Sequence, residues 1–140
     1  MKKLPIIMSF IFLFAFYFAA FSQTTSGDLK SSVARGKKLY AQYCLTCHQI
    51  DGSGVPNMNP PLIQTSYVTG DKTKLIQWVL KGSKEKIPID DKYYSNNMPP
   101  QNYLKNQQIA DILTYIRNNF ENKASAISVV EVKQARAAIK

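Results

Sequence analysis

Two cysteines and a histidine stand together in Cys44-Leu45-Thr46-Cys47-His48, and these three residue types at this spacing carry specific chemistry. They are both cysteines and the single histidine of the 140 residues. Two thiols three positions apart can each form a thioether with a vinyl group of the same haem, and the adjacent imidazole can bind its iron. The pentapeptide therefore predicts one covalent haem c.

Two other uses of paired cysteines fit the chain less well. A thioredoxin-like redox pair is expected in a βαβ setting, whereas here a helical pattern precedes the cysteines and a loop rich in glycine and proline follows them. A structural zinc site needs four ligands, and the sequence has no further Cys or His. Haem attachment is the preferred interpretation.

The iron of such a haem needs a second axial group, for which methionine is the main candidate. Beyond residue 22 the chain has only Met58 and Met98. Met58 lies ten residues after His48, in the loop expected on the histidine side, whereas Met98 lies fifty residues after it and can return over the opposite face. We expect Met98 to bind the iron. The alternative is a thioether packed in the pocket beside an open or water-bound iron.

The loop after the pentapeptide offers a partner for the histidine. Its glycines and prolines, from Gly52 to Pro61, exclude a regular helix. A metal-binding imidazole usually donates its other N–H to a backbone carbonyl or a carboxylate, which orients the ring. The carbonyl of Pro60 or Pro61 is the expected acceptor, and the alternative is that these prolines only stiffen a turn.

The first 22 residues predict an export signal, with Lys2 and Lys3 before a long apolar run and a small-x-small site at Ala20-Phe21-Ser22. The run is long enough that an uncleaved membrane anchor is the alternative. Both versions place the protein in the periplasm, with membrane contact through a retained anchor or a membrane-bound partner. Residues 23–30 predict a linker, 31–122 a domain, and 123–140 an extension.

The net charge of the chain indicates which class of molecule it could bind. The 18 basic residues, less Lys2 and Lys3, against 9 acidic residues leave a net charge of +7. This favours redox partners with acidic docking surfaces, and Lys81, Lys84 and Lys86 could rim such a surface. A generally solvated basic surface is the alternative. Nucleic acid is not expected, because the chain is predicted to be exported and has no basic stripe.

Helical periodicity predicts a first helix that starts from a cap at Ser31 or Ser32 and runs into the pentapeptide. It contains Gly36, which costs about 1 kcal/mol relative to alanine in a helix. We therefore expect another helix to pass too closely for a side chain at this position.

Three further helices are predicted. One runs from 71 to 80 between an Asp71 cap and a Gly82 stop, and its Trp78 is either a core residue or a donor to a haem propionate. Another runs from 106 to 120. In the extension, the capping-box spacing from Ser128 predicts a short helix that docks through Val129, Val132 and Ile139. No strand alternation persists, so the fold class is all-α.

Four segments together resemble the class I monohaem c-type cytochromes, in particular small exported ones similar to the cytochrome subunits of haem–copper oxidases and periplasmic dehydrogenases. The segments are Gly36-x-x-x-Tyr40 before the pentapeptide, Pro60-Pro61-Leu62, Asn97-Met98-Pro99-Pro100 and Ile109-Ala110-x-Ile112-Leu113-x-Tyr115-Ile116-Arg117. The resemblance implies a bundle of three to five short helices wrapped around one covalent haem, with Gly36 and Tyr40 facing Tyr115. Two residues depart from the family pattern. Lys105 stands where a Ser or Thr cap is frequent, so we place the cap at Asn106, and Glu121 stands where a glycine is frequent.

The implied function is electron transfer, as a soluble carrier or as a haem subunit of a respiratory oxidase or dehydrogenase complex, and not catalysis. A histidine–methionine pair raises the reduction potential and leaves no vacant position for oxygen or peroxide. The alternatives are a peroxidase-like haem enzyme and a ligand sensor, and each of them requires an open sixth site.

Overall fold

The computed structural model describes residues 26–84 and 88–139, so the predicted export signal and Lys86 lie outside the described residues. Six helices form within these ranges: α1 (Ser26–Tyr43), α2 (Leu45–His48), α3 (Ser66–Thr69), α4 (Lys72–Lys81), α5 (Asn106–Arg117) and α6 (Val129–Ala137). The two described ranges contain isolated β-bridges but no strand, which confirms the all-α class. Helices α2 and α3 are single turns of four residues.

Helix α1 starts at Ser26, earlier than the sequence predicts. The predicted cap at Ser31 or Ser32 is wrong, and residues 26–30 of the predicted linker are helical. Asp28 in the first turn suits the positive end of the helix dipole. Ser32 does not cap α1, because its hydroxyl donates to the carboxylate of Asp111 on α5 at 2.6 Å. Residues 28–31 are exposed, so the early start of α1 does not come from burial.

Gly36 lies where α1 crosses α5, as predicted. A Cβ at this position would overlap the carbonyl oxygen of Asp111 and lie 2.7 Å from Cβ of Tyr115. One turn further along α1, the Tyr40 ring packs 5.4 Å from the Tyr115 ring, centroid to centroid. The close-packing explanation for a glycine inside α1 is therefore confirmed.

A carboxylate network that the sequence analysis missed ties α1 to α5. Asp111 is 1% exposed and accepts hydrogen bonds from Ser32, from Gln107 and twice from Arg35, at 2.7 and 2.8 Å. Burial tends to raise the pKa of the Asp111 carboxyl, but these hydrogen bonds outweigh burial and hold the pKa below its usual range. The network stabilises the helix crossing while the carboxyl stays ionised.

The cap and the stop predicted for helix α4 are both confirmed. The side chain of Asp71 accepts a hydrogen bond from the Lys74 N–H at 2.9 Å, and Gly82 ends the helix with a φ of 69°. Residues that carry a side chain rarely adopt such a backbone φ, so glycine suits this position.

Helix α5 differs from the prediction at both ends. Lys105, not Asn106, is its N-cap residue, and the Lys105 N–H donates to the side chain of Gln108 at 2.9 Å. The predicted cap at Asn106 is wrong because that side chain turns to Arg136 of α6. The helix ends at Arg117, and Glu121 has a φ of 63°, a left-handed conformation that explains why glycine is frequent there.

Asn122 anchors the loop that follows the pentapeptide. Its amide is 4% exposed and donates to the carbonyls of Leu62 and Ile116 at 2.8 and 2.9 Å. Its side-chain oxygen accepts the Gln64 N–H at 2.7 Å. One buried side chain therefore joins the C-terminal end of α5 to the end of that loop.

Helix α6 packs on the domain as predicted, with Ser128 as the N-cap and Glu131 completing the capping box. Val132 and Ala135 are 0% and 3% exposed, and Ile139 packs against the core at half burial. The docking role predicted for Val129 is wrong, because this residue, one turn before Val132, is 37% exposed. Across the described ranges, no helix has the length and apolar character needed to cross a bilayer.

Candidate haem site

An apolar cavity lies between α2, the loop after it, α4 and α5. It encloses about 950 Å³ of space that no protein atom fills, including its mouth to solvent. Its walls carry all six predicted site residues: Cys44, Cys47, His48, Pro60, Pro61 and Met98. The remaining wall is mostly apolar and includes Leu62, Leu75, Trp78, Val79, Leu104, Ile112, Leu113 and Ile116.

The single turn α2 brings the pentapeptide side chains to one wall. Cys44 precedes this turn, and its carbonyl accepts the His48 N–H at 2.9 Å. Cys44 is half-buried, Cys47 is exposed, and both are free thiols. Burial raises the pKa of the Cys44 thiol to about 12, with a smaller contribution from Cys47. Two free thiols three positions apart beside an apolar cavity are suited to forming thioethers.

The imidazole of His48 is oriented by the loop. Its Nδ1 lies 3.0 Å from the carbonyl oxygen of Pro60, a distance at which a protonated Nδ1 donates a hydrogen bond. Burial lowers the pKa of His48, and the Pro60 carbonyl opposes this effect. Nε2 is then the nitrogen available to a metal. Pro61 lines the cavity but makes no such bond to His48.

Gly54 allows the loop to bring Pro60 back to the histidine. Its φ is 68°, and a Cβ would lie 2.6 Å from the carbonyl oxygen of Pro60. The Gly54 N–H also donates to the His48 carbonyl at 3.1 Å. A side chain at position 54 would push away the carbonyl that orients His48.

Met98 is the methionine that reaches the cavity. It is half-buried in the wall, and its backbone carbonyl accepts the Ser83 N–H at 2.8 Å. A Cβ on Gly82 would overlap that same carbonyl, so the Met98 segment packs directly on the end of α4. Met58 is 45% exposed and is not among the residues of the cavity wall.

Trp78 belongs to the cavity wall and not to the fully buried core. It is half-buried, and its ring packs edge-on against Tyr67 at a centroid distance of 5.3 Å. Sequence reasoning missed Tyr67, Gln101 and Leu104 as wall residues. Tyr67 lies in α3, whereas Gln101 and Leu104 lie in the segment before α5. Neither segment carries a motif that indicates contact with the cavity, so no local signal could have found these residues.

The donor set fits a covalent haem. Two free thiols, an imidazole oriented through Nδ1 and a thioether share one apolar cavity. In the part of the chain that the structure describes, no group of three or more His, Cys, Asp or Glu residues is placed to hold another metal.

Comparisons with known proteins agree with this site. Residues 33–120 match the cytochrome c family. Cytochrome c-552 of Thermus thermophilus is 34% identical over 94 residues, which cover 64% of this chain and 63% of that protein. The cytochrome c subunit of the quinone alcohol dehydrogenase of Gluconobacter oxydans is 32% identical over 105 residues, covering 72% of this chain and 22% of that subunit.

The cytochrome subunit of fructose dehydrogenase from Gluconobacter japonicus is 30% identical over 117 residues, covering 80% of this chain and 24% of that subunit. The chain therefore spans under two thirds of cytochrome c-552 and under a quarter of the two dehydrogenase subunits. Because the family match covers more than half of the chain and includes all six site residues, this chain belongs to the cytochrome c family, whose members bind haem c covalently.

Proposed function

We propose that this chain transfers electrons through a single haem c with His48 and Met98 as axial ligands, and that it is not itself a catalyst. One observation carries the proposal: Met98, and not Met58, lies in the cavity wall with Cys44, Cys47 and His48. With both side chains bound, the iron would have no open position for a substrate.

Each residue of the site has a distinct part in this function. The bound haem supplies reversible one-electron chemistry at its iron. Cys44 and Cys47 would hold it through thioether bonds to its two vinyl groups. The hydrogen bond to Pro60 keeps the His48 ring in one orientation, and the apolar walls exclude water from the site.

Two observations support a periplasmic protein that works as a free carrier or as a complex subunit. The sequence begins with the pattern of an export signal, cleaved or retained as an anchor. The relatives include a cytochrome c-552 and the cytochrome subunits of two dehydrogenases. Either form places the haem next to redox partner proteins outside the cytoplasm.

A groove lined by lysines is the proposed docking surface for an acidic partner. Lys74, Lys81 and Lys84 are exposed around a groove whose other walls include Tyr67 and Trp78. The two ion pairs formed within the described ranges involve other residues, so these three ammonium groups have no carboxylate partner there. Trp78 lines both this groove and the haem cavity, so a partner in the groove would lie one side chain from the haem.

The axial assignment is tested with Met98→Ala and, as the matched control, Met58→Ala, both made in a host that exports and attaches haem. Intact mass reports one haem and signal cleavage together, and visible absorption reports the spin state. Met98→Ala should lower the reduction potential and allow rapid carbon monoxide binding to the ferrous protein, while Met58→Ala should change neither. Rapid binding to the wild type would instead support a peroxidase-like enzyme or a sensor.

The docking surface is tested by charge reversal. Lys81→Glu together with Lys84→Glu should slow electron transfer to an acidic redox protein and reduce the dependence of the rate on salt. Lys37→Glu together with Lys133→Glu reverses as much charge at exposed positions outside the groove. Equal slowing in the two double variants would show that net charge, and not this groove, guides docking.

A further inference from the structure

Arg136 on α6 holds a segment of the cavity wall through three hydrogen bonds. Its Nε donates to the side chain of Asn106 at 2.8 Å, Nη1 to the carbonyl of Asn102 at 2.6 Å and Nη2 to the carbonyl of Leu104 at 2.7 Å. A guanidinium is planar, and its donors point in fixed directions. Three simultaneous bonds therefore fix the positions of these acceptors relative to one another.

The segment that Arg136 holds connects directly to the axial methionine. Leu104 is 4% exposed and lines the cavity. Gln101, 8% exposed, also lines it, and its amide donates to the carbonyl of Pro99 at 3.1 Å. Pro99 follows Met98 in the chain. A short series of contacts therefore runs from α6 to the residue next to Met98.

Helix α6 is anchored independently of this segment. Val132 is fully buried, and Glu131 pairs with Lys72 of α4 at 3.0 Å. The whole helix lies beyond residues 33–120, the part that matches the family. Arg136 therefore extends from a fixed support that the family match does not include.

We propose that Arg136 is a positioning residue for Met98: by fixing the segment from 99 to 104, it keeps the thioether at the cavity. The inference rests on the proposed role of Met98 as a ligand. Without Arg136, the carbonyls of Asn102 and Leu104 lose their donors and the segment gains freedom to move. Met98 then leaves the iron more often, although α6 stays in place.

The experiment uses the haem-loaded full chain with Arg136→Ala and Arg136→Lys. Lysine keeps the positive charge but cannot donate hydrogen bonds in the fixed directions of a planar guanidinium. Both variants should therefore hold Met98 less firmly than the wild type. We expect cyanide to displace the methionine in the ferric protein about tenfold faster, the factor that corresponds to about 1.4 kcal/mol. The charge-transfer absorption that marks methionine–iron ligation should also disappear at a lower temperature than in the wild type.

Two control variants separate positioning from charge and from stability. Lys133→Ala removes an exposed charge from the same helix, and Val132→Ala weakens the packing of α6 while leaving the Arg136 side chain unchanged. The proposal holds if cyanide displacement is fast in the Arg136 variants and unchanged in both controls. It is overturned if Val132→Ala accelerates displacement as much at equal loss of stability, or if the Arg136 variants match the wild type. A wild type without the methionine band would instead refute the proposed axial ligation.

Discussion

Replacing Gly36 with alanine has two opposing effects on stability. Helix propensity predicts a higher free energy of unfolding, whereas packing predicts a lower one. Gly36 lies inside α1, where alanine is favoured over glycine by about 1 kcal/mol. Local propensity alone therefore predicts a more stable protein. The structure predicts the reverse, because α5 passes directly over this position.

The magnitude follows from the atoms that a Cβ would meet. It would overlap the carbonyl oxygen of Asp111 and lie 2.7 Å from both the Asp111 carbonyl carbon and Cβ of Tyr115, whereas carbon atoms pack at about 3.5–4.0 Å. The first two atoms belong to the α5 backbone, so no rotamer change relieves the overlap and α5 must shift. Overpacking typically costs about 1–3 kcal/mol. With the upper value and the gain in propensity subtracted, we expect a net loss of about 2 kcal/mol.

The assay is denaturant unfolding of the haem-loaded protein. Ala34→Gly is the matched control, because Ala34 is exposed on the same helix and the change carries only the propensity effect. This control should lose about 1 kcal/mol. A Gly36→Ala variant as stable as the wild type, or more stable, would refute the close crossing of α1 and α5.

Three further predictions each concern one residue and its contacts. Burial opposes the ionised Asp111 carboxyl, but hydrogen bonds from Arg35 and its neighbours hold the pKa below its usual range; the stabilisation is present above about pH 4 and lost as pH falls through the lowered pKa. The stability difference between wild type and Asp111→Asn, measured by denaturant unfolding across pH, should therefore shrink in acid, and a constant difference would contradict this. Asn122→Ala should lower the free energy of unfolding by about 2–3 kcal/mol, since it removes three hydrogen bonds that each contribute about 1 kcal/mol; a loss under about 0.5 kcal/mol, typical of surface changes, would be inconsistent. Gly82→Ala should displace the carbonyl of Met98 and weaken the methionine absorption band, and an unchanged band would count against the packing of that segment on α4.

Local patterns in the sequence predicted the features that depend on adjacent residues. The spacing of Cys44, Cys47 and His48 indicated haem because thioether and axial chemistry need only a few neighbouring side chains. The Asp71 and Ser128 caps followed from side chains that bond to backbone groups three residues away. Gly36 indicated a helix crossing because glycine destabilises the interior of a helix, and a close approach of another helix explains why it is there.

Features that join distant segments required the tertiary structure. The sequence offered Pro60 and Pro61 as partners for His48, and only the folded loop distinguishes them, by placing the Pro60 carbonyl at Nδ1. The start of α1 at Ser26 differs from the prediction, and Ser32, one of the two candidate caps, bonds instead to Asp111 of α5.

The contacts of Arg136 have the same origin. It joins residues 30 to 34 positions away, and no periodicity reports which carbonyls a side chain will meet at that separation. The sequence by itself thus indicated the chemistry of the haem site and predicted most of the helices of the protein. The fold decided which groups orient His48 and support Met98, because those contacts depend on how the helices pack.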